Sequence, residues 1–376
     1  MSYIIKHMDM PVMRFELIEN TGDPAVSITW TTEKKDLLPL DMSEGNAGLS
    51  HWLRNRTIPK NRAFVNNFLS KCGLSINRPM DIISVSKGLS LNDVYWVVDE
   101  DFTGSFEQYN LYDNNFSNIL ALIAFTGYGS SLRSSLVSSP EFTTNGMLPK
   151  CWRRISGKIF LYKGGTSGAS NTGFEPYSEY YASEVAKAMG VNAIEYRLSE
   201  WKGTLCSACE IFTSKEYSYV PIGKIVKTGG MKAVRKFYES LGEEFVDALN
   251  EMIVFDAVIC NTDRHFGNFG VLIDNKTNKI AKPAPLFDHG NSLFNFAGRD
   301  DLESEEAFEA YVSTLLPQAY DDFISEAKAC IKDENHEQLR RLLTYRLKKN
   351  PRYNVTEKRY RFIAHQIQKR AGLLLK

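Results

Sequence analysis

The sequence predicts an α+β protein of two lobes, with a strand-rich part leading into a helical part. Three observations predict it. Short alternating runs recur before about residue 227, longer stretches of helical periodicity take over after it, and no internal repeat is visible. A cleft between two such lobes is a natural nucleotide site. With 376 residues, 43% hydrophobic and 24% charged, the chain can bury a large core and reads as ordinary globular protein.

Val12–Ile18 and Ala25–Trp30 alternate like half-buried strands. Residues 45–115 read as helical and looped, with Arg62–Leu69 as one amphipathic helix. Asn118–Phe125 is a short apolar run, and Gly, Ser, Thr and Pro then mark 126–150 as a flexible segment. Met147–Arg154 and Lys158–Lys163 are expected as two strands joined at Ser156 and Gly157, followed by a helix over Tyr177–Met189 that Gly190 stops. Strand character returns over 191–212. Beyond it, Glu243–Ile259, 303–331, 335–348 and 356–375 read as helices. The expected division is 1–115, 116–226 and 227–376.

The 45 Lys plus Arg balance the 45 Asp plus Glu, so nothing in the net charge points to nucleic acid or an anionic membrane. The six cysteines lack the density of a disulfide framework. Cys206 and Cys209 have CxxC spacing, but no second pair completes a zinc set, and reduced thiols are expected. Residues 1–10 hold no apolar core of a signal peptide, and no window approaches the roughly 18 apolar residues of a membrane span. The expected location is cytoplasmic.

The chemistry concentrates in Asn261-Thr-Asp-Arg-His-Phe-Gly-Asn268 and Leu286-Phe-Asp-His-Gly290. Metal-dependent phosphoryl transfer needs a carboxylate at the attacking hydroxyl and hard oxygen ligands for Mg²⁺ at the phosphates. Asp263 suits the first role, Asn268 and Asp288 the second. A hairpin over 269–287 would carry Asp288 back beside Asn268, with Gly290 allowing a sharp turn after it. Taken alone, Asn-Thr-Asp is an ordinary loop turn. The agreement of order, spacing and element type is what favours a kinase.

His265 and His289 lack the register of a transition-metal site, and His265 reads as a brace of the loop beside the nucleotide. For Arg264 the sequence leaves open an ion pair or plain exposure. Upstream, Lys163 ends a strand and Glu179 opens a helix, a device for fixing a cation against phosphates. The segment 138–146 offers Ser138, Ser139, Thr143, Thr144 and Gly146 to phosphate oxygens. Gly127-Tyr-Gly129 and Lys163-Gly-Gly-Thr-Ser-Gly168 match neither glycine-rich phosphate motif and read as loops.

On Asn261–Asn268 and the second motif extended to Leu286–Leu293, with Gly146–Trp152, Ile159–Lys163 and Ser178–Glu184, the chain resembles the HipA-like serine/threonine kinases, a bacterial branch of the protein-kinase-like fold. The resemblance covers roughly 137–293. It implies a bilobal protein-kinase-like fold with a strand-rich N-lobe and a helical C-lobe. It also implies ATP and Mg²⁺ as cofactors, with Asp263 catalytic, Asn268 and Asp288 on the metal, and Lys163 with Glu179 at the phosphates. Cys209–Phe212, with Glu210 and Phe212, falls at the adenine-binding hinge. Segment 138–146 falls at a phosphate loop whose Ser138 or Ser139 is a candidate for self-phosphorylation.

The expected acceptor is a protein Ser or Thr, in this chain itself or in an aminoacyl-tRNA synthetase, and a small antitoxin-like protein is the expected partner. Neither nucleic acid nor membrane is expected as a partner. The alternatives are a lipid or small-molecule kinase and a non-catalytic nucleotide-binding regulatory module.

Overall fold

The computed structural model describes residues 1–132, 136–167 and 173–376, and the chain divides into two compact units. The first comprises Met1–Tyr162, Ile211–Val220 and Leu272–Ala281; the second comprises Lys163–Glu210, Pro221–Val271 and Lys282–Lys376. Gly168 of the glycine-rich stretch after Lys163 lies outside the described residues.

The first unit opens with β1 (Ser2–His7), β2 (Met10–Glu19) and β3 (Ala25–Thr31), completed by β4 (Tyr95–Asp99) into an antiparallel sheet of order β3-β2-β1-β4. Along β2 the buried Val12, Met13 and Phe15 are set against exposed Arg14 and Glu16, the pattern of a strand with one wet face. Helices α1 (Gly45–Arg54), α2 (Val65–Cys72) and α3 (Pro79–Ser86) precede β4 in the chain. After β4 come the single turn α4 (Phe106–Tyr109), α5 (Asn118–Thr126), β5 (Lys150–Ile155) and β6 (Lys158–Gly164). β4 was not expected: Tyr95, Trp96, Val97 and Val98 are all buried, so the strand has no alternation to read.

The second unit contains α6 (Glu175–Met189) and the antiparallel pair β7 (Tyr196–Trp201) and β8 (Thr204–Glu210). It also contains α7 (Ile222–Ile225), α8 (Gly230–Leu241), α9 (Glu243–Ile259) and the C-terminal helices α10 (Glu305–Ser313), α11 (Phe323–Cys330), α12 (Asp333–Leu342) and α13 (Glu357–Leu374). β9 (Tyr217–Pro221), β10 (Gly270–Asp274) and β11 (Lys279–Pro283), most of whose residues belong to the first unit, make a three-stranded sheet of order β11-β10-β9. The α+β expectation holds, with strands concentrated early and helices late.

Two differences from the sequence reading have physical causes. The expected helix over 303–331 is two helices, because Pro317 follows the end of α10 and Asp322 caps a new start, accepting from the Ile324 and Ser325 amides at 3.0 and 2.7 Å. Segment 163–210, expected with the strands, clusters instead with the C-terminal helices. Ala193 bridges Leu286 in parallel, and Ser178 Oγ donates to the Ser292 carbonyl at 2.9 Å.

α6 ends as expected at Gly190, whose φ of +84° closes the helix on a bond to the Ala186 carbonyl. Nothing stands within 4 Å of where a Cβ would sit, so only the backbone is strained by substitution. Gly190→Ala is predicted to cost about 1–2 kcal/mol, read by urea denaturation; an unchanged midpoint would contradict this account of the helix end.

Candidate active site

The second half of α9 is apolar on every side, and Met252–Ile259 is buried without a gap. Asp256 lies within it, fully buried, and its carboxylate takes the guanidinium of Arg264, also fully buried. Nε donates to Oδ2 at 2.8 Å and Nη2 to Oδ1 at 2.9 Å, a two-pronged pair. Nη1 donates to the carbonyls of Asn268 at 2.9 Å and Phe287 at 2.8 Å, and Nη2 also reaches His289 Nδ1 at 3.1 Å. All five N–H donors of the guanidinium are thus used, the condition on which a buried ion pair is tolerable. The charge on Arg264 is opposed by burial but held by Asp256, which keeps its pKa above the ordinary arginine value.

This contact brings the candidate metal ligands together. The backbone at Asn268 and the backbone just before Asp288 meet on one nitrogen. The chain between them forms the β10–β11 hairpin, and it is closed at its base by Arg264. The sharp turn falls on Asp288 itself, with φ of 61°, rather than on Gly290. A short polar side chain tolerates that left-handed conformation. Gly290 serves close approach instead, since a Cβ there would stand 3.3 Å from Glu175 Cβ on α6.

Arginine cannot accept a proton, so His289 Nδ1 must accept from it and the ring hydrogen sits on Nε2. The ring is fully buried, edge-on to Phe255 with centroids 5.3 Å apart. Burial first, and Arg264 second, hold its pKa well below the usual histidine range. The His289 amide donates to Glu179 Oε2 at 3.1 Å.

Lys163 ends β6 in a buried position, where Nζ donates to Glu179 Oε1 and, at 2.5 Å, to Asp288 Oδ1. Burial works against the ammonium charge; Asp288 and Glu179 outweigh it and raise the pKa above the usual lysine value. Glu179 is 1% exposed on α6, whereas the Asp288 side chain is 36% exposed. The Asp288 amide is fixed by donation to Tyr196 Oη at 3.1 Å.

The loop before β10 is built from its own side chains. Asn261 Oδ1 accepts from the Asp263 amide at 3.2 Å, while its Nδ2 donates to Asp256 Oδ1 at 3.0 Å. Asn268 Nδ2 donates to the Asp263 carbonyl at 3.3 Å, which leaves the amide oxygen as the atom Asn268 would offer a cation. His265 Nδ1 accepts from the Gly267 amide at 2.9 Å and braces the loop. Sequence reasoning did not single out Asp256, Tyr196 or Asn291. Asn291 binds Asp263 Oδ2, and its position inside the second motif was the only signal for it.

The remaining sequence-chosen residues are engaged within the first unit, apart from Glu210, the exposed last residue of β8. Ser138 Oγ donates to the Ser86 carbonyl at 2.9 Å; buried Ser139 donates to Glu141, itself accepting from the Trp152 amide at 3.0 Å. Thr143 Oγ1 donates to the Leu89 carbonyl at 2.8 Å, and Thr144 Oγ1 to that of Pro140 at 2.6 Å. The described part of the segment expected to be flexible therefore contains a bonded turn over Pro140–Phe142. Gly146 suits its φ of +91°, a backbone conformation that side-chain-bearing residues rarely adopt. Phe212 stands edge-on to Tyr219, with centroids 5.5 Å apart.

The fold is protein-kinase-like. The chain matches the HipA of Shewanella oneidensis MR-1, solved with HipB and operator DNA, at a TM-score of 0.53 and 13% identity over 98% of this chain and 96% of that one. In sequence it is 25% identical over 179 residues to the serine/threonine-protein kinase CtkA of Helicobacter pylori strain J99. That match takes in 43% of this chain and 52% of the other, so the chain spans about half the length of the curated relative. The crystal structure of CtkA aligns at a TM-score of 0.46 and 17% identity, over 60% of this chain and 92% of that one. No protein-family model matches the chain. In sequence the chain is similar to a serine/threonine-protein kinase over part of its length, and in fold it is similar to HipA.

Two outcomes are expected. Arg264→Met strands Asp256 in the interior and should cost about 3–5 kcal/mol in chemical denaturation; a loss under 1 kcal/mol would mean the pair is not structural. Native His289 stays neutral where the unfolded histidine takes a proton, near pH 6.5. Below that pH the unfolded state binds more protons, so stability should fall by roughly 1–2 kcal/mol between pH 6.5 and 5. His289→Asn, which keeps an acceptor for Arg264, should flatten that part of the melting profile; an unaltered slope would assign it to other groups.

Proposed function

We propose that the chain is a kinase that uses ATP with Mg²⁺ to phosphorylate a serine or threonine hydroxyl of a protein, its own included. The observation that carries this reading is the ammonium of Lys163 held between buried Glu179 and half-exposed Asp288, at the base of a hairpin that Arg264 closes. Two of the three ammonium donors are taken by carboxylates, and the third N–H suits a phosphate oxygen. Asp288 and Asn268 offer hard oxygen atoms. Two such ligands suit a Mg²⁺ that would keep water and phosphate in most of its positions. When bound, that ion neutralises charge on the phosphates.

Asp263 accepts a hydrogen bond from the acceptor hydroxyl and orients it. The hydroxyl oxygen forms the new bond to the γ-phosphorus, the bond to the ADP oxygen breaks in line, and the hydroxyl proton leaves toward Asp263. The resemblance to the kinases assigns segment 138–146, Glu210, Phe212 and His265 to the nucleotide. Ser139 is sealed against Glu141, so phosphate transfer to it requires that turn to open.

An aminoacyl-tRNA synthetase as acceptor and a HipB-like protein as partner belong to the same proposal. The HipA structure contains DNA as well as HipB, so the neutral net charge does not argue against a nucleic-acid partner. No helix among the described residues is long and apolar enough to cross a membrane.

Radiolabelled ATP and Mg²⁺ supplied to the purified protein, with and without a cell lysate, should label the chain or a lysate protein. Asp263→Asn should lower labelling by about 10²–10⁴-fold with nucleotide binding retained. Nucleotide binding without any labelling would make the chain a non-catalytic nucleotide-binding module. Label in lipid or a metabolite alone would make the acceptor a small molecule.

A further inference from the structure

Asn291 lies three residues after Asp288 and binds back across both loops. Its Nδ2 donates to Asp263 Oδ2 at 2.8 Å. Its backbone carbonyl accepts from both the amide and the hydroxyl of Thr262, each at 3.1 Å. A carboxylate only accepts, so the Asn291 amide turns its nitrogen to Asp263 and its oxygen to Asn295, whose Nδ2 donates to it at 3.2 Å. The peptide around this contact is held from two more directions. The Leu293 amide donates to the Ile259 carbonyl at the end of α9 at 2.8 Å, and Arg359 Nη1 donates to the Phe294 carbonyl at 2.9 Å. Leu293 and Phe294 both have left-handed backbones, with φ of 50° and 62°, an arrangement side-chain-bearing residues adopt only where their surroundings impose it.

We propose that Asn291, aligned by Asn295, is a positioning residue for phosphoryl transfer: it fixes the Asp263 carboxylate by one oxygen so that the other faces the acceptor hydroxyl. This rests on the kinase reading, in which Asp263 orients that hydroxyl. An amide suits the task because it holds one carboxylate oxygen by a directed donor without adding a positive charge that would lower the basicity of the carboxylate. A carboxylate free to rotate about its side-chain bonds would spend part of its time misaligned, and misplacement by about 1 Å can cost up to 10²-fold in rate. Because the Thr262 bonds end on the Asn291 backbone, substitution of its side chain leaves the tie between the loops intact.

The test separates this inference from the kinase reading. Wild-type labelling from ATP examines the latter. For the former, Asn291→Asp is nearly isosteric and replaces the donor with an acceptor. It should lower kcat by about 10–100-fold with the KM for ATP within about twofold of wild type. Asn295→Ala should give a smaller fall in kcat of the same kind. A wild-type kcat in Asn291→Asp, or a loss confined to KM or to the melting temperature, would overturn the inference.

An arm independent of activity follows the side-chain amide of Asn291 by proton–nitrogen NMR, assigned by its disappearance in Asn291→Ser. Asp263→Ala should move that signal upfield as the charge-assisted bond is lost. A signal that does not move would overturn the proposed contact whether or not the protein transfers phosphate.

Discussion

The site depends on one buried ion pair. Asp256 and Arg264 stand eight residues apart and are both removed from water, which by itself is costly. The cost is offset because no hydrogen-bonding valence of the guanidinium is left over. Two donors satisfy the carboxylate, two gather the carbonyls at the two ends of the β10–β11 hairpin, and one fixes the tautomer of His289. Lysine could not replace it, having three donors on a single point rather than five on a plane.

The exposed chemistry follows outward from that pair. Because Arg264 fixes the backbone at Asn268 and Phe287, Asp288 emerges at a set point, and its left-handed backbone turns the chain into the loop that returns to Glu179 and Asp263. Glu179 receives one bond from the His289 amide and one from Lys163, so helix α6, strand β6 and the Asp288 loop share a single buried carboxylate. Only Asp288 of this trio keeps substantial exposure. On the proposed kinase reading, a rigid interior with an accessible carboxylate suits a Mg²⁺ that binds and leaves with the nucleotide.

Much of the candidate site was proposed from the sequence, because its residues other than Lys163 and Glu179 lie in two short motifs whose order carries the meaning. Asp263, Asn268 and Asp288 needed only local spacing, and α9 was bounded at Glu243 and Ile259 by its apolar run. The role of Arg264 could not be read. Its acceptors lie 4 to 25 residues away, and a fully buried charge runs against every compositional expectation. Ser139 failed to read as buried for the opposite reason: Gly, Ser, Thr and Pro suggest a loop, and the carboxylate of Glu141 that closes the turn is itself a buried acid. The strand β4 and the break at Pro317 mark the two ordinary limits, a strand buried on both faces and a helix pattern that continues across a proline.

On the proposed kinase reading, Arg264 holds the candidate metal ligands Asn268 and Asp288 together without touching the nucleotide. Calorimetric titration of ATP, with and without Mg²⁺, into wild-type protein and into Arg264→Lys checked for folding by circular dichroism tests it directly. The account predicts that the substitution weakens binding of ATP with Mg²⁺ by at least about tenfold, or 1.4 kcal/mol, and leaves metal-free ATP nearly unaffected. Equal affinities for ATP with Mg²⁺ in the two folded proteins would contradict it.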